Sequence, residues 1–194
     1  MLEPHCEIVD WWAAGRDPTL AAQVEGIFWQ TSRRTFPAGP ERDAFRERWL
    51  GRYMQAGSDV VLLALAADGT VAGYLVGALA NPAEQERFAD IGYFRGAFAA
   101  LMPRYPAHLH INLAEPFRNR GIGARLIAGF AERAAKAGVR GMHVVTGKAM
   151  RNVRFYERCG FVERAAAPWN GTTIVLLGKD LSEAPTTLAE RSGP

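Results

Sequence analysis

The sequence predicts a mixed α/β fold, and three observations carry that class. First, Asp68-Gly69 stands between two apolar runs, Val60–Ala67 and Thr70–Leu79, and an Asp-Gly pair so placed favours the primed turns of an antiparallel hairpin. Second, the strand-like Ala107–Ala114 leads through a glycine loop into a helical stripe and then into Arg140–Thr146, a second strand-like run. A strand–helix–strand unit of that kind implies a parallel pair with a right-handed crossover. Third, helix-period segments precede the hairpin, and a short helix and two more strands follow the crossover, so the two periodicities are interleaved.

Taken in order, Cys6–Trp12 reads as a first strand. Asp17-Pro18 is a helix start, and Leu20, Val24, Ile27 and Phe28 recur at helical spacing after it. Pro37–Pro40 breaks the chain before a second helix over Glu41–Ala56, where Phe45, Trp49 and Tyr53 lie four apart on one face. That aromatic stripe is read as core that also has the position to wall a cleft. Pro82–Leu101 reads as helix and loop, interrupted by Gly92 and Gly96. Gly121–Ala137 is helical, with Ile122, Leu126, Phe130 and Ala134 as its apolar stripe. Met150–Arg158 is a short helix ended by Gly160; Phe161–Arg164 and Thr172–Leu177 are the last strands. Residues 1–181 are expected to form one domain, and 182–194 a loose tail with little apolar content.

Bulk properties narrow the function classes. The 194 residues suit one compact domain with a sizeable core. A formal charge of +3, with acidic and basic residues interleaved as in Glu41-Arg42-Asp43, fits an anionic small ligand and does not signal a nucleic-acid binder. Two cysteines, Cys6 and Cys159, make neither a disulfide framework nor a C-x-x-C zinc site, so no metal is expected. The first ten residues lack the basic and apolar segments of a secretory signal. The longest apolar run, Val60–Ala67, is far short of the ~20 residues of a spanning helix. A cytoplasmic protein with no membrane partner is the expectation.

The chemistry concentrates where the strand Ala107–Ala114 gives way to a helix through Glu115-Pro116-Phe117-Arg118-Asn119-Arg120-Gly121-Ile122-Gly123. Helix starts carry unpaired N–H groups and partial positive charge, which suits phosphates. Gly121 and Gly123 remove side chains that would keep a pyrophosphate away, and Arg118 and Arg120 add charge. A P-loop is excluded because no Lys-Ser/Thr pair follows. A dinucleotide fingerprint is excluded by Leu126, where Gly or Ala belongs, and by Val144-Val145-Thr146, where an acidic residue belongs.

The remaining pattern, R/Q-x-x-G-x-G, is met by Arg118, Gly121 and Gly123. Asn152, Phe155-Tyr156 and Gly160-Phe161 follow at matching spacing. Together these residues resemble the GNAT superfamily of N-acetyltransferases over Ala107–Phe161; Glu115-Pro116 departs from the order of proline followed by a polar residue that many members carry. The resemblance implies a central mixed, mostly antiparallel twisted sheet with a parallel, splayed strand pair, flanked by helices on both faces. It implies acetyl-CoA as acyl donor, with its diphosphate on the backbone of Asn119, Arg120, Gly121, Ile122, Gly123 and Ala124 beside Arg118. Leu113 would pair through its backbone with the pantetheine arm, Val144–Thr146 would form the opposite wall, and Asn152 and Tyr156 would contact the cofactor. The acceptor would be a small-molecule or peptide amine, and a homodimer is common in such folds.

Within that resemblance Tyr156 matches the tyrosine that protonates the departing thiolate, a reasonable role for a phenol; the alternative is that it only packs or hydrogen-bonds the sulfur. His108, His110 and Asn112 alternate with Leu109, Ile111 and Leu113, so the polar set shares one strand face. Either histidine is a candidate base, since an unperturbed imidazole titrates near neutrality, and the bland reading has both hydrogen-bonded in a half-buried sheet. Glu115, on the loop, is a weaker candidate. Arg104–Asn112 also resembles the acetyltransferase-like domains related to the C-terminal region of O-GlcNAcases, a group in which catalysis itself is in question. Two functions therefore stand at this point: an acetyl-CoA-dependent N-acetyltransferase acting by direct attack in a ternary complex, and a non-catalytic acetyl-CoA-binding domain.

Overall fold

A computed structural model of the chain describes residues 6–32, 34–55, 57 and 59–181. The expected loose tail, 182–194, and Ala56 lie outside the described residues. Seven strands form one sheet in the order β1-β2-β3-β4-β5-β7-β6. They are β1 (Glu7–Asp10), β2 (Val60–Leu65), β3 (Val71–Ala78), β4 (Ala107–Leu113), β5 (Gly141–Gly147), β6 (Val162–Trp169) and β7 (Thr172–Asp180). Every neighbouring pair is antiparallel except β4 with β5, as the crossover required. The β2–β3 hairpin turns at Gly69, which adopts a φ of 81°.

β3 is buried along its whole length because helices cover both sheet faces. On one face lie α1 (Pro18–Thr31), α2 (Pro40–Arg46), a π turn (Glu47–Gly51) and α3 (Arg52–Gln55). Their core residues Val24, Ile27, Phe28 and Tyr53 meet Phe88 and Phe94 from the 82–105 segment. The Asp17 side chain caps α1 by accepting from the Thr19 N–H at 2.7 Å, with Pro18 in the first turn. On the other face lie α4 (Ile122–Lys136) and α5 (Asn152–Arg158). The stripe of Ile122, Leu126, Phe130 and Ala134 is buried there, together with Ile127 and Tyr156.

Three local expectations are corrected. The second helix is not continuous, because its middle widens into the π turn. The Glu47 side chain folds over Gly51 at its end, Oε2 lying 2.2 Å from where a Cβ would stand. Pro82–Leu101 contains no α-helix, only 3₁₀ turns at Pro82–Glu84, Glu86–Phe88 and Ala99–Leu101. Gly92 leaves room there for Trp169, whose Cη2 a Cβ would approach to 3.1 Å. Last, β6 continues past Arg164 to Trp169 and β7 past Leu177 to Asp180. Asn170 and Gly171 join them with positive φ at both positions, the backbone of a tight hairpin turn. Pro168 is tolerated because β6 is an edge strand.

The 82–105 segment is tied to the helical layer by Asp90, whose carboxylate accepts from Arg52 (Nη1 at 2.8 Å, Nη2 at 2.9 Å) and from Arg48 Nε at 2.7 Å. Those bonds, Arg52's first, pull its pKa down to about 2. A depressed carboxylate adds stability above its unfolded pKa of about 4 and loses it as pH falls through the folded value. Asp90 remains 35% exposed, so solvent screening limits the gain to about 1 kcal/mol. Asp90→Asn is expected to lower Tm by roughly 2–4 °C at pH 5–7, with the gap to the unmodified protein closing below pH 4; a gap independent of pH in melts across this range would refute the assignment.

Candidate functional site

β4 pairs with β5 only at Ala107–Met142 and His108–His143. Past that point β4 stays paired to β3 through Leu113, and β5 stays paired to β7 through Gly147, but the two no longer pair with each other. The sheet opens between Leu109–Leu113 and Val144–Gly147. Backbone groups along such an opening need partners from elsewhere. One has been found: Arg118 Nε donates to the Leu113 carbonyl at 3.1 Å. That carbonyl keeps a second lone pair for an incoming donor.

The loop beyond β4 makes a 3₁₀ turn at Glu115–Phe117, then enters α4 through two left-handed residues, Asn119 (φ 60°) and Gly121 (φ 73°). Gly121 is the N-cap, and no atom comes within 4 Å of where its Cβ would lie, so the helix start is open. Gly123 serves a different end from the one expected: a Cβ there would meet the Phe155 ring at 2.9 Å and Leu113 Cδ1 at 3.3 Å. Its missing side chain lets α4 and α5 pack. Asn119, Arg120, Gly121 and Ala124 are exposed, and Ile122 is buried in the core. Among the described residues Arg118, Arg120 and Arg125 have no carboxylate within 4.0 Å. An open N-terminus beside unpaired arginines attracts anions.

Asn152 opens α5 and accepts from Thr146 Oγ1 at 3.0 Å, fixing the end of β5 beside the opening. Tyr156, one turn on, is buried against Phe155 and Phe161, with ring centroids 5.2 and 5.6 Å away. Burial raises its pKa, so the phenol holds its proton at neutral pH. Its hydroxyl makes no hydrogen bond among the described residues.

The opposite sheet face carries the alternation the sequence predicted: His108, His110 and Asn112 point away from α4, while Leu109, Ile111 and Leu113 point towards it. Tyr53 Oη lies 2.9 Å from His108 Nε2 and 3.1 Å from His110 Nε2. Trp49, on the π turn, stands edge-on to His110 with centroids 5.1 Å apart. Asn112 Nδ2 donates to Tyr74 Oη at 2.9 Å. Burial, reinforced by His143 and Arg52, pushes the His110 pKa down to about 4. The expectation of a group titrating near neutrality is corrected: this imidazole is neutral at pH 7. Glu115 is exposed on the loop, apart from the histidine face. Tyr156 and His110 thus lie in the layers on opposite faces of the sheet. Tyr53, read from the sequence as one of an aromatic stripe able to wall a cleft, serves both histidines, and Tyr74, which holds Asn112, was not singled out; they lie 57 and 38 positions from His110 and Asn112.

An α/β/α sandwich whose single parallel pair opens beside a glycine-capped helix defines a fold shared by many solved structures. SsHAT matches with a TM-score of 0.69 at 21% identity over 93% of this chain and all of that one. A GNAT-family structure from Desulfovibrio desulfuricans matches with a TM-score of 0.66 at 18% identity, covering 92% and 100% of the two chains. A GCN5-related N-acetyltransferase from Kribbella flavida gives 0.60 at 17% identity, covering 91% and 98%. No curated protein matches significantly in sequence. The profile of the Acetyltransferase (GNAT) family matches residues 21–161, and the chain belongs to that family.

The two loop glycines are expected to fail differently. Gly121→Ala forces a side chain into left-handed backbone at a cost of about 1–2 kcal/mol without steric conflict, so Tm should fall while the near-ultraviolet circular dichroism of the tyrosines is kept. Gly123→Val overpacks against Phe155 at a cost of about 1–3 kcal/mol and should change that spectrum, since Tyr156 adjoins Phe155. Identical spectra for the two variants would contradict the packing role of Gly123.

Proposed function

We propose that the protein is an acetyl-CoA-dependent N-acetyltransferase that transfers an acetyl group to an amine by direct attack in a ternary complex. The observation that carries this reading is the opening between β4 and β5, with an open, glycine-capped helix start following β4 and one candidate proton-transfer group on each face of the sheet. The residues fit the donor: the α4 start from Asn119 to Ala124, open at Gly121, with exposed Arg118 and Arg120, offers positive potential to a diphosphate, and the opening has unpaired strand edges for an extended amide-bearing arm. Asn152 and Leu113 lie at the two edges of that opening.

When bound, the donor supplies a thioester carbon as electrophile. Tyr156, kept protonated by burial, delivers its Oη proton to the departing sulfur. His110, kept neutral, takes the proton the amine sheds as its nitrogen bonds to carbon and the carbon–sulfur bond breaks. Asn112, held by Tyr74, presents a fixed polar group to the acceptor. Every proton has a giver and a taker, and no metal is required by this scheme. Because the His110 pKa lies near 4, activity at constant free-amine concentration should be flat in its dependence on this group from pH 6 to 8.

A ligand at ~100 times its dissociation constant stabilises the folded state by about 2.7 kcal/mol. Acetyl-CoA should therefore raise Tm by several degrees while NADH and ATP raise it much less, and Gly121→Glu should abolish the shift. Equal shifts with NADH would overturn the donor assignment.

Tyr156→Phe should lower turnover by ~100-fold or more, the scale of a lost general acid, and leave the acetyl-CoA melting shift in place. Unchanged turnover under chemistry-limited conditions would reduce Tyr156 to packing.

A further inference from the structure

The layer that holds Trp49 and His110 has a composition that bears on the acceptor. Trp49 stands edge-on to His110, a β4 residue beyond the last pairing with β5. Val145, beyond the last pairing on β5, faces the same apolar layer, and Leu176 of β7 lies beside it in register. At the far end of β6, Trp169 joins that layer and packs on Tyr93, ring centroids 5.5 Å apart. Trp49, Val145 and Trp169 are only partly buried, so aromatic and aliphatic surface stays uncovered in the layer where His110 stands. Small-molecule sites are built in this way, mostly apolar with a few placed polar groups.

Charge on this side is one-sided. β3, β4, β5 and β7 as far as Gly178 contain no aspartate or glutamate. The carboxylates of the 82–105 segment are already served: Glu84 accepts from Asn81 Nδ2 at 2.8 Å and Glu86 from Arg95 Nη2 at 3.2 Å. Asp90 answers both Arg48 and Arg52, so that cluster keeps an excess of positive charge. Arg52 is near enough to His110 to add to the burial and the His143 ring that hold it neutral. A second ammonium on the acceptor would meet guanidinium groups on one side and strands without a carboxylate on the other, and an unpaired charge is costly to desolvate.

We infer that the acceptor is a monoamine on an apolar, ring-bearing body, lodged against Trp49 and Val145 with its nitrogen at His110, and that Trp49 sets this preference. The inference rests on the acetyl transfer proposed above and deepens it: the amine nitrogen bonds to the acyl carbon as the carbon–sulfur bond breaks, and the body takes no part in the chemistry. A single amine that reacts uncharged leaves no residual charge on this face. A diamine would carry its second charge there, and a polar body would give up its water with few partners in exchange.

The test compares 2-phenylethylamine, 1,4-diaminobutane and glycinamide as acceptors for the full-length protein, at equal free-amine concentration, by CoA release. The expected kcat/KM for 2-phenylethylamine exceeds the other two by roughly tenfold or more, the scale on which an apolar pocket discriminates. Trp49→Leu should remove most of that preference, mainly by raising KM for 2-phenylethylamine, with the acetyl-CoA melting shift kept. Equal use of the three amines, or preference for 1,4-diaminobutane or glycinamide, overturns the acceptor class while the acetyl transfer stands, and that result needs no variant to fold. If no amine releases CoA, the proposed activity fails and calorimetric titration of the CoA-saturated protein with the same three amines decides the class. Selective binding of 2-phenylethylamine then upholds it; absent or unselective binding overturns it.

Discussion

The pairing of β4 with β5 lasts for two residues on each strand and then stops. A parallel pair interior to a seven-stranded sheet would ordinarily run its full length, because each lost ladder bond leaves buried donors and acceptors unserved. Here each strand is held by its outer neighbour, β4 by β3 and β5 by β7, so the sheet survives the opening. Everything proposed about the site depends on that constraint. The α4 start lies at the mouth of the opening because β4 feeds it, and α5 lies beside it because β5 does. Among the described residues, Arg118 bonding to the Leu113 carbonyl is a side-chain repair of the exposed edge.

Burial sets the protonation states on both sides of the opening. Tyr156 lies in the apolar layer with Phe155, Phe161 and Ile122, and burial there favours the neutral phenol. His110 and His143 are kept neutral for the same reason on the other face, although an unperturbed imidazole would be partly charged at pH 7. An acid that stays protonated and a base that stays unprotonated are separated by the sheet itself. The same depressed values make acid unfavourable to the fold: between pH 6.5 and 4 the unfolded chain binds protons that these imidazoles do not, so stability falls as pH falls through that window.

Much of this was legible in the sequence because it is local. The hairpin at Asp68-Gly69, the stripe of α4 and the open glycine start of that helix at Gly121 are written in consecutive residues, and the alternation of β4 correctly grouped His108, His110 and Asn112. The loop also identified the family. What the sequence did not carry depends on distant partners. Gly123 looked like a ligand-approach glycine until α5 was in place to present Phe155. Tyr53 looked like one member of a core stripe, and nothing within its helix announces that its hydroxyl serves two histidines on β4. The π turn at Glu47–Gly51 interrupts a segment whose helical periodicity gives no sign of it. β6 was cut short because Ala165-Ala166-Ala167-Pro168 lacks strand-forming side chains, and only pairing to β7 makes it a strand.

The most direct test of this account is a crystal structure of the protein with CoA bound. The account predicts the pantetheine arm between Leu109–Leu113 and Val144–Gly147, the diphosphate on the backbone from Asn119 to Ala124, and the sulfur within hydrogen-bond reach of Tyr156 Oη on the side of the sheet opposite His110. CoA held on the arginines of the surface with the strand opening left unfilled would contradict it.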